Sequence, residues 1–169
     1  MRPADEADFR EFAGARALPL RRTAYFLCAD WHLAEDLVQA TLIKMYAVWP
    51  KLARSGPVDN YARKVLLRCW LDEQRRPWRR RERRDGVVPE QPVPAVLYTG
   101  MTDLLRQALA EVPVKQRAAI VLRYCADLSV AEVAAVLGCS EGTVKSQTAR
   151  GLETLRDAVA KLELVGRNS

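Results

Sequence analysis

The stretch from Leu128 to Leu155, LSVAEVAAVLGCSEGTVKSQTARGLETL, constrains this chain most, because it reads as two helices joined by a tight turn. Ser129 is placed to cap the first helix, and Glu132 three residues on completes a capping box. Val130, Val133, Ala134 and Leu137 then recur at the spacing of one apolar helical stripe. Gly138 stands where a left-handed residue closes a helix. Ser140 is placed to cap the second helix, whose inward stripe is Val144, Thr148, Leu152 and Leu155. The opposite face carries Gly142, Thr143, Ser146, Ala149 and Arg150, with Lys145 on its flank. Small side chains, hydroxyls and cations on one helix face suit the DNA major groove, so the stretch is a helix-turn-helix.

The rest of the chain reads as helices too. Asp5 to Gly14 is expected to form a short helix with Phe9 and Phe12 inward, and Ala15 to Cys28 a second one, weakened in its first turn by Pro19. Asp30 caps a strongly patterned helix from His32 or Leu33 to Val48. Leu37, Thr41, Met45 and Val48 mark its buried face, and Pro50 ends it. A loop with Ser55, Gly56 and Pro57 follows. A helix resumes near Asp59 or Asn60 and runs through YARKVLLRCWLDEQRR, with Pro77 closing it. After Thr102, a cap, come a helix with Leu104, Leu105, Ala108 and Leu109 inward, a break at Pro113, and the helix KQRAAIVLRYC, burying Ala119, Ile120 and Leu122 or Val121 and Tyr124. The second helix of the motif extends to Leu162, and the tail VGRNS is expected to fray. No strand pattern appears. The fold class is therefore all-α: two small helical domains joined by a Pro-containing linker. The first spans residues 1–84 and the linker 85–100, where Pro89, Pro92 and Pro94 fall among few charges. The helix-turn-helix domain spans 101–169.

Charge distribution separates the halves. The net charge is +6, from 27 Lys and Arg against 21 Asp and Glu. Between Thr102 and Ser169 stand nine basic and eight acidic residues, so that half is nearly neutral. The excess lies in QRRPWRRRERRD, whose arginines suit a polyanion. No run of eighteen apolar residues exists, so no membrane span is expected, and the acidic N-terminus is unlike a signal peptide; a cytoplasmic address follows. Cys28, Cys69, Cys125 and Cys139 are widely spaced and read as free thiols, and His32, the only histidine, has no Cys pair to join. No metal and no cofactor is expected. HExxH, a paired-carboxylate metal constellation and a Gly-rich phosphate loop are all absent, so no catalytic residue is assigned and the chain is read as a non-enzyme.

The order of these motifs resembles an extracytoplasmic-function sigma factor, the two-domain minimal class of bacterial RNA polymerase sigma subunits in the sigma-70 superfamily. HLAEDLVQATLIKMYAVW is similar to the family's region 2.2 helix, NYARKVLLRCWLDEQRR to the segment that melts and reads the promoter −10 element, and EVPVKQRAAIVLRYCADLSVAEVAAVLGCSEGTVKSQTARGLETLR to region 4, which reads the −35 element. The resemblance implies that Glu35, Asp36 and Gln39 dock on the clamp coiled coil of the largest subunit of core RNA polymerase, with the polymerase flap as a further contact. It implies a −10 set of Tyr61, Arg63, Lys64, Arg68 and Trp70, with Arg75, Arg76, Arg79 and Arg80 on phosphates upstream of the bubble. It implies a −35 set of Thr143, Lys145, Ser146, Gln147 and Arg150. Arg68 and Cys69 depart from the common Asn and Thr of relatives, and Gln147 replaces a frequent Arg. Tyr61 and Trp70 read equally as core aromatics. The partners implied are core polymerase and promoter DNA, with an anti-sigma factor in many relatives. A free-standing helix-turn-helix regulator is the alternative; it leaves the first half unexplained.

Overall fold

The computed structural model describes residues 1–76 and 103–169, and among them the chain forms seven α-helices and no strand. The expected linker, Thr102, Pro77, Arg79 and Arg80 lie outside the described residues.

Helix α1 is one continuous element, Pro3–Cys28, rather than two. Pro19 sits inside it, and the Thr23 hydroxyl donates to the Pro19 carbonyl at 3.1 Å. A proline removes one backbone donor, yet buried Leu20, Ala24 and Leu27 hold the segment helical through tertiary packing. The helix ends at Ala29, which adopts φ +55° and donates its N–H to the Tyr25 carbonyl.

Helix α2, Trp31–Leu52, begins where expected, with Asp30 accepting from the Leu33 N–H at 3.1 Å. It runs past Pro50, and Trp49 rather than Val48 takes the last buried position; Val48 is 40% exposed. Phe9 and Phe12 of α1 pack on Trp49, each with ring centroids 5.1 Å apart, and this aromatic cluster carries the buried face one residue beyond the stripe. Helix α3, Val58–Gln74, completes the first unit. Arg16 of α1 grips Asp59 at its start through two bonds of 2.6 and 3.1 Å.

The second unit comprises α4 (Asp103–Glu111), α5 (Val114–Ile120) continued by a π-helical turn over Val121–Cys125, α6 (Val130–Leu137) and α7 (Glu141–Arg167). Both alternative stripes of α5 turn out buried together: Ala118, Ala119, Ile120, Val121 and Leu122 are all inside, and only Tyr124 is out, at 58% exposure. The π-turn produces this by shifting the register after Ile120. The capping box is formed as expected, Glu132 N–H to Ser129 Oγ at 3.1 Å and Ser129 N–H to Glu132 Oε2 at 2.7 Å. Gly138 closes α6 at φ +67°, and Ser140 accepts from the Thr143 N–H at 3.1 Å to open α7. Helix α7 continues to Arg167, so most of the expected frayed tail is helical.

The two units pack on each other. The Leu109, Ala118, Val121 and Leu122 side chains join the cluster that holds Leu27, Leu66 and Trp70.

Candidate nucleic-acid interface

Three exposed faces arise from the helix geometry. The first lies on the opening turns of α7. The inward positions Val144, Thr148 and Gly151 are buried, which turns Thr143, Lys145, Ser146 and Arg150 to the surface, with Gln147 half-buried at the edge. The Thr143 hydroxyl lies 2.9 Å from Ser140 Oγ, so the cap and the first surface hydroxyl are held as one polar corner. A helix N-terminus of this kind presents unpaired backbone N–H groups and a partial positive charge to an anion.

The second face is on α3. Its buried side is Ala62, Leu66, Leu67, Cys69, Trp70 and Glu73. Tyr61, Lys64, Arg68 and Arg75 therefore fall in one exposed stripe, with Arg76 following at the helix end. Trp70 is not part of it. The ring is fully buried, with the Arg117 guanidinium carbon 5.6 Å from its centre, so it is a core aromatic and no base can stack on it in this arrangement. Arg63 also stands apart: it is half-buried, donates to Asn60 Oδ1 at 3.2 Å, and lines a cleft with Arg16, Asp59 and Cys125.

The third face is on α2. Asp36 and Gln39 are exposed one turn apart, whereas Glu35 is held by Arg21 of α1 at 2.7 Å with its side chain only 28% exposed. Ile43, absent from the expected set, extends the Asp36–Gln39 line by one turn and is 70% exposed. Its signal was legible: a β-branched apolar residue seven positions after Asp36, on the side opposite Thr41 and Met45.

The chain matches two family descriptions, one over the α2 and α3 faces and one over the α7 face. "Sigma-70 region 2" matches residues 15–80, and "Sigma-70, region 4" matches residues 102–155. The RNA polymerase sigma-E factor of Streptomyces avermitilis is 32% identical over 166 residues, covering 95% of this chain and 89% of the relative. The ECF RNA polymerase sigma factor SigL of Mycobacterium tuberculosis is 32% identical over 167 residues, with 94% and 93% covered. Among solved structures, the sigma factor RpoE of Bartonella quintana, crystallised with the anti-sigma factor NepR, superimposes with a TM-score of 0.73 at 29% identity, over 90% of this chain and 97% of that one.

Proposed function

This chain belongs to the extracytoplasmic-function class of sigma-70 RNA polymerase sigma factors, which direct promoter-specific transcription, and on that premise we propose how its three faces divide the work. The α2 line of Asp36, Gln39 and Ile43 docks on core polymerase, with the clamp coiled coil as its seat. Glu35 serves the fold through Arg21 instead. The α3 stripe of Tyr61, Lys64, Arg68, Arg75 and Arg76 meets the −10 region, where an extruded base costs a few kcal/mol that stacking and phosphate contacts must offset. Thr143, Lys145, Ser146, Gln147 and Arg150 read the −35 element in the major groove. A domain division near residues 85–100 fits this assignment.

The observation that carries this reading is the exposure of cations on both α3 and α7, one on each matched region, with a separate apolar-and-acid line on α2. Nothing in these roles needs a catalytic group. The chain acts with polymerase and so in the cytoplasm; among the described residues no helix is long and apolar enough to cross a membrane. Likeness to a sigma factor solved with an anti-sigma factor supports a partner of that kind here. The test is co-elution of the purified chain with core polymerase, followed by run-off transcription from genomic fragments. Co-elution with promoter-selective transcripts is the expected result. DNA binding without co-elution would favour a free-standing regulator.

A further inference from the structure

Helix α7 carries three glycines, and their surroundings differ. Gly151 faces α5, where a Cβ would collide with Ile120. Gly142 is exposed on the opposite side, its φ is not positive, and a Cβ built there meets only Ser140 Oγ, at 3.9 Å. Glycine weakens a helix relative to alanine, so its presence in a helix calls for something that excludes a Cβ. Among the described residues nothing excludes one at Gly142. Its neighbours on the helix show what lies outside. Gly142, Ser146 and Ala149 recur at i, i+4 and i+7 along the centre of the exposed face, with Thr143 and Arg150 to one side and Lys145 to the other.

We propose that Gly142 is a specificity-determining residue of this face: its missing Cβ lets a base edge of the −35 element come up against the backbone of α7. The proposal rests on the assignment of the −35 element to α7. A base edge suits the position better than a phosphate does. The exposed Glu141 carboxylate stands beside Gly142 and repels an anion. The cations that suit phosphates, Lys145 and Arg150, flank the centre line rather than lie on it. The turn is also held in place where the base arrives. Ser140 Oγ accepts from the Thr143 N–H at 3.1 Å and lies 2.9 Å from the Thr143 hydroxyl. The clearance at Gly142 then fixes how far Thr143, Ser146 and Arg150 stand from the bases, so it governs discrimination between sequences more than attraction to DNA in general.

The test uses the full chain with core polymerase and a promoter fragment recovered by run-off transcription, beside the same fragment with its −35 segment scrambled. Gly142→Ala should leave co-elution with core unchanged and hold Tm or raise it by up to about 4 °C, as alanine for glycine in a helix does. Transcription from the intact fragment should fall about tenfold, the scale of one lost base contact, while residual transcription from the scrambled fragment stays at the wild-type level. The salt dependence of promoter binding should keep its slope, because no phosphate contact is lost. Gly166→Ala is the matched control: Gly166 lies in the same helix with nothing within 4 Å of its Cβ position, beyond the region 4 match. That change should leave transcription from both fragments unchanged. Undiminished transcription by Gly142→Ala, an equal loss on both fragments, a lowered Tm, or a salt slope reduced by about one would each overturn the proposal. Lys145→Ala with Arg150→Ala separates it from the assignment it rests on. If the intact fragment is transcribed as before, α7 does not read the −35 element and both fail. If that double change lowers transcription and Gly142→Ala does not, the role of Gly142 alone fails.

Discussion

Gly151 of α7 lies against Ile120 of α5 so closely that a Cβ built on the glycine would sit 2.5 Å from Ile120 Cδ1 and 3.2 Å from Gln116 Cβ. The glycine is buried within a helix, where it costs helix propensity, and its benefit is the close approach of the recognition helix to α5.

Gly151→Ala should therefore destabilise the chain, by about 1–3 kcal/mol as overpacking of a tight core does. Urea unfolding checks this, and Ile120→Val in the same background, which removes the clashing Cδ1 methyl, should recover part of the loss. An unchanged midpoint would mean that Ile120 can move aside freely.

Ala29 offers the reverse test. It holds a left-handed conformation between α1 and α2 with a Cβ that disfavours it. Ala29→Gly should stabilise the fold by roughly 1 kcal/mol, since the strain of ~1–2 kcal/mol is relieved and the greater freedom of glycine in the unfolded chain offsets part of it. Thermal unfolding reads the sign.

At the −35 face, Arg150→Ala should lower transcription from a −35-dependent promoter by about tenfold, the effect of losing ~1–3 kcal/mol of base or phosphate contact, while core binding stays intact. If Arg150 meets a phosphate, the salt dependence of promoter binding should also fall by about one counterion. Loss of core binding in this variant would place Arg150 elsewhere.

On α2, Asp36→Lys and Ile43→Ala should each weaken co-elution with core polymerase, and Glu35→Gln should not. The Glu35 change should instead lower stability slightly, because the Arg21 pair is part-exposed and such pairs are worth at most about 1 kcal/mol. Equal losses of core affinity from all three would return Glu35 to the docking line.

Cys125 gives a readout of packing in the native protein. It lines the cleft shared with Arg16, Asp59 and Arg63, and burial pushes its thiol up to about 11 from an ordinary 9.0. The residue as a whole is exposed, so the shift is read as a direction of change in its reactivity. The thiolate is the reactive form, so maleimide labelling of Cys125 at pH 8 should be slower than in the unfolded chain. The folded state holds this proton more tightly than the unfolded state. Its effect on stability is therefore absent below about pH 9 and becomes a loss as pH rises from 9 toward 11. Peptide mapping after timed labelling measures the rates.

The helix-turn-helix was legible in the sequence because its signals are local: Ser129, Glu132, Gly138 and Ser140 each act on backbone within four residues. The faces of α2 and α3 were legible where one stripe decided burial, as at Asp36, Gln39, Lys64 and Arg68. What escaped depends on distant neighbours. Trp70 reads equally as a base-stacking ring or a core ring until Arg117, 47 positions on, is seen above it. Val48 lost its buried place to Trp49 because Phe9 and Phe12 supply an aromatic surface there. Glu35 is half-buried rather than exposed because Arg21 reaches it from another helix. Gly151 carries no local hint of its packing role, since the constraint belongs to Ile120.

Tyr61 and Lys64 share a cleft with Ala135 and Val136, so the surface of α3 and the packing of the two units draw on one set of atoms. A substitution at Tyr61 or Lys64 therefore also changes how α3 meets α6. An engineer who reshapes that part of α3 inherits a changed fit between the units, and compensating changes in α6 are the place to restore it.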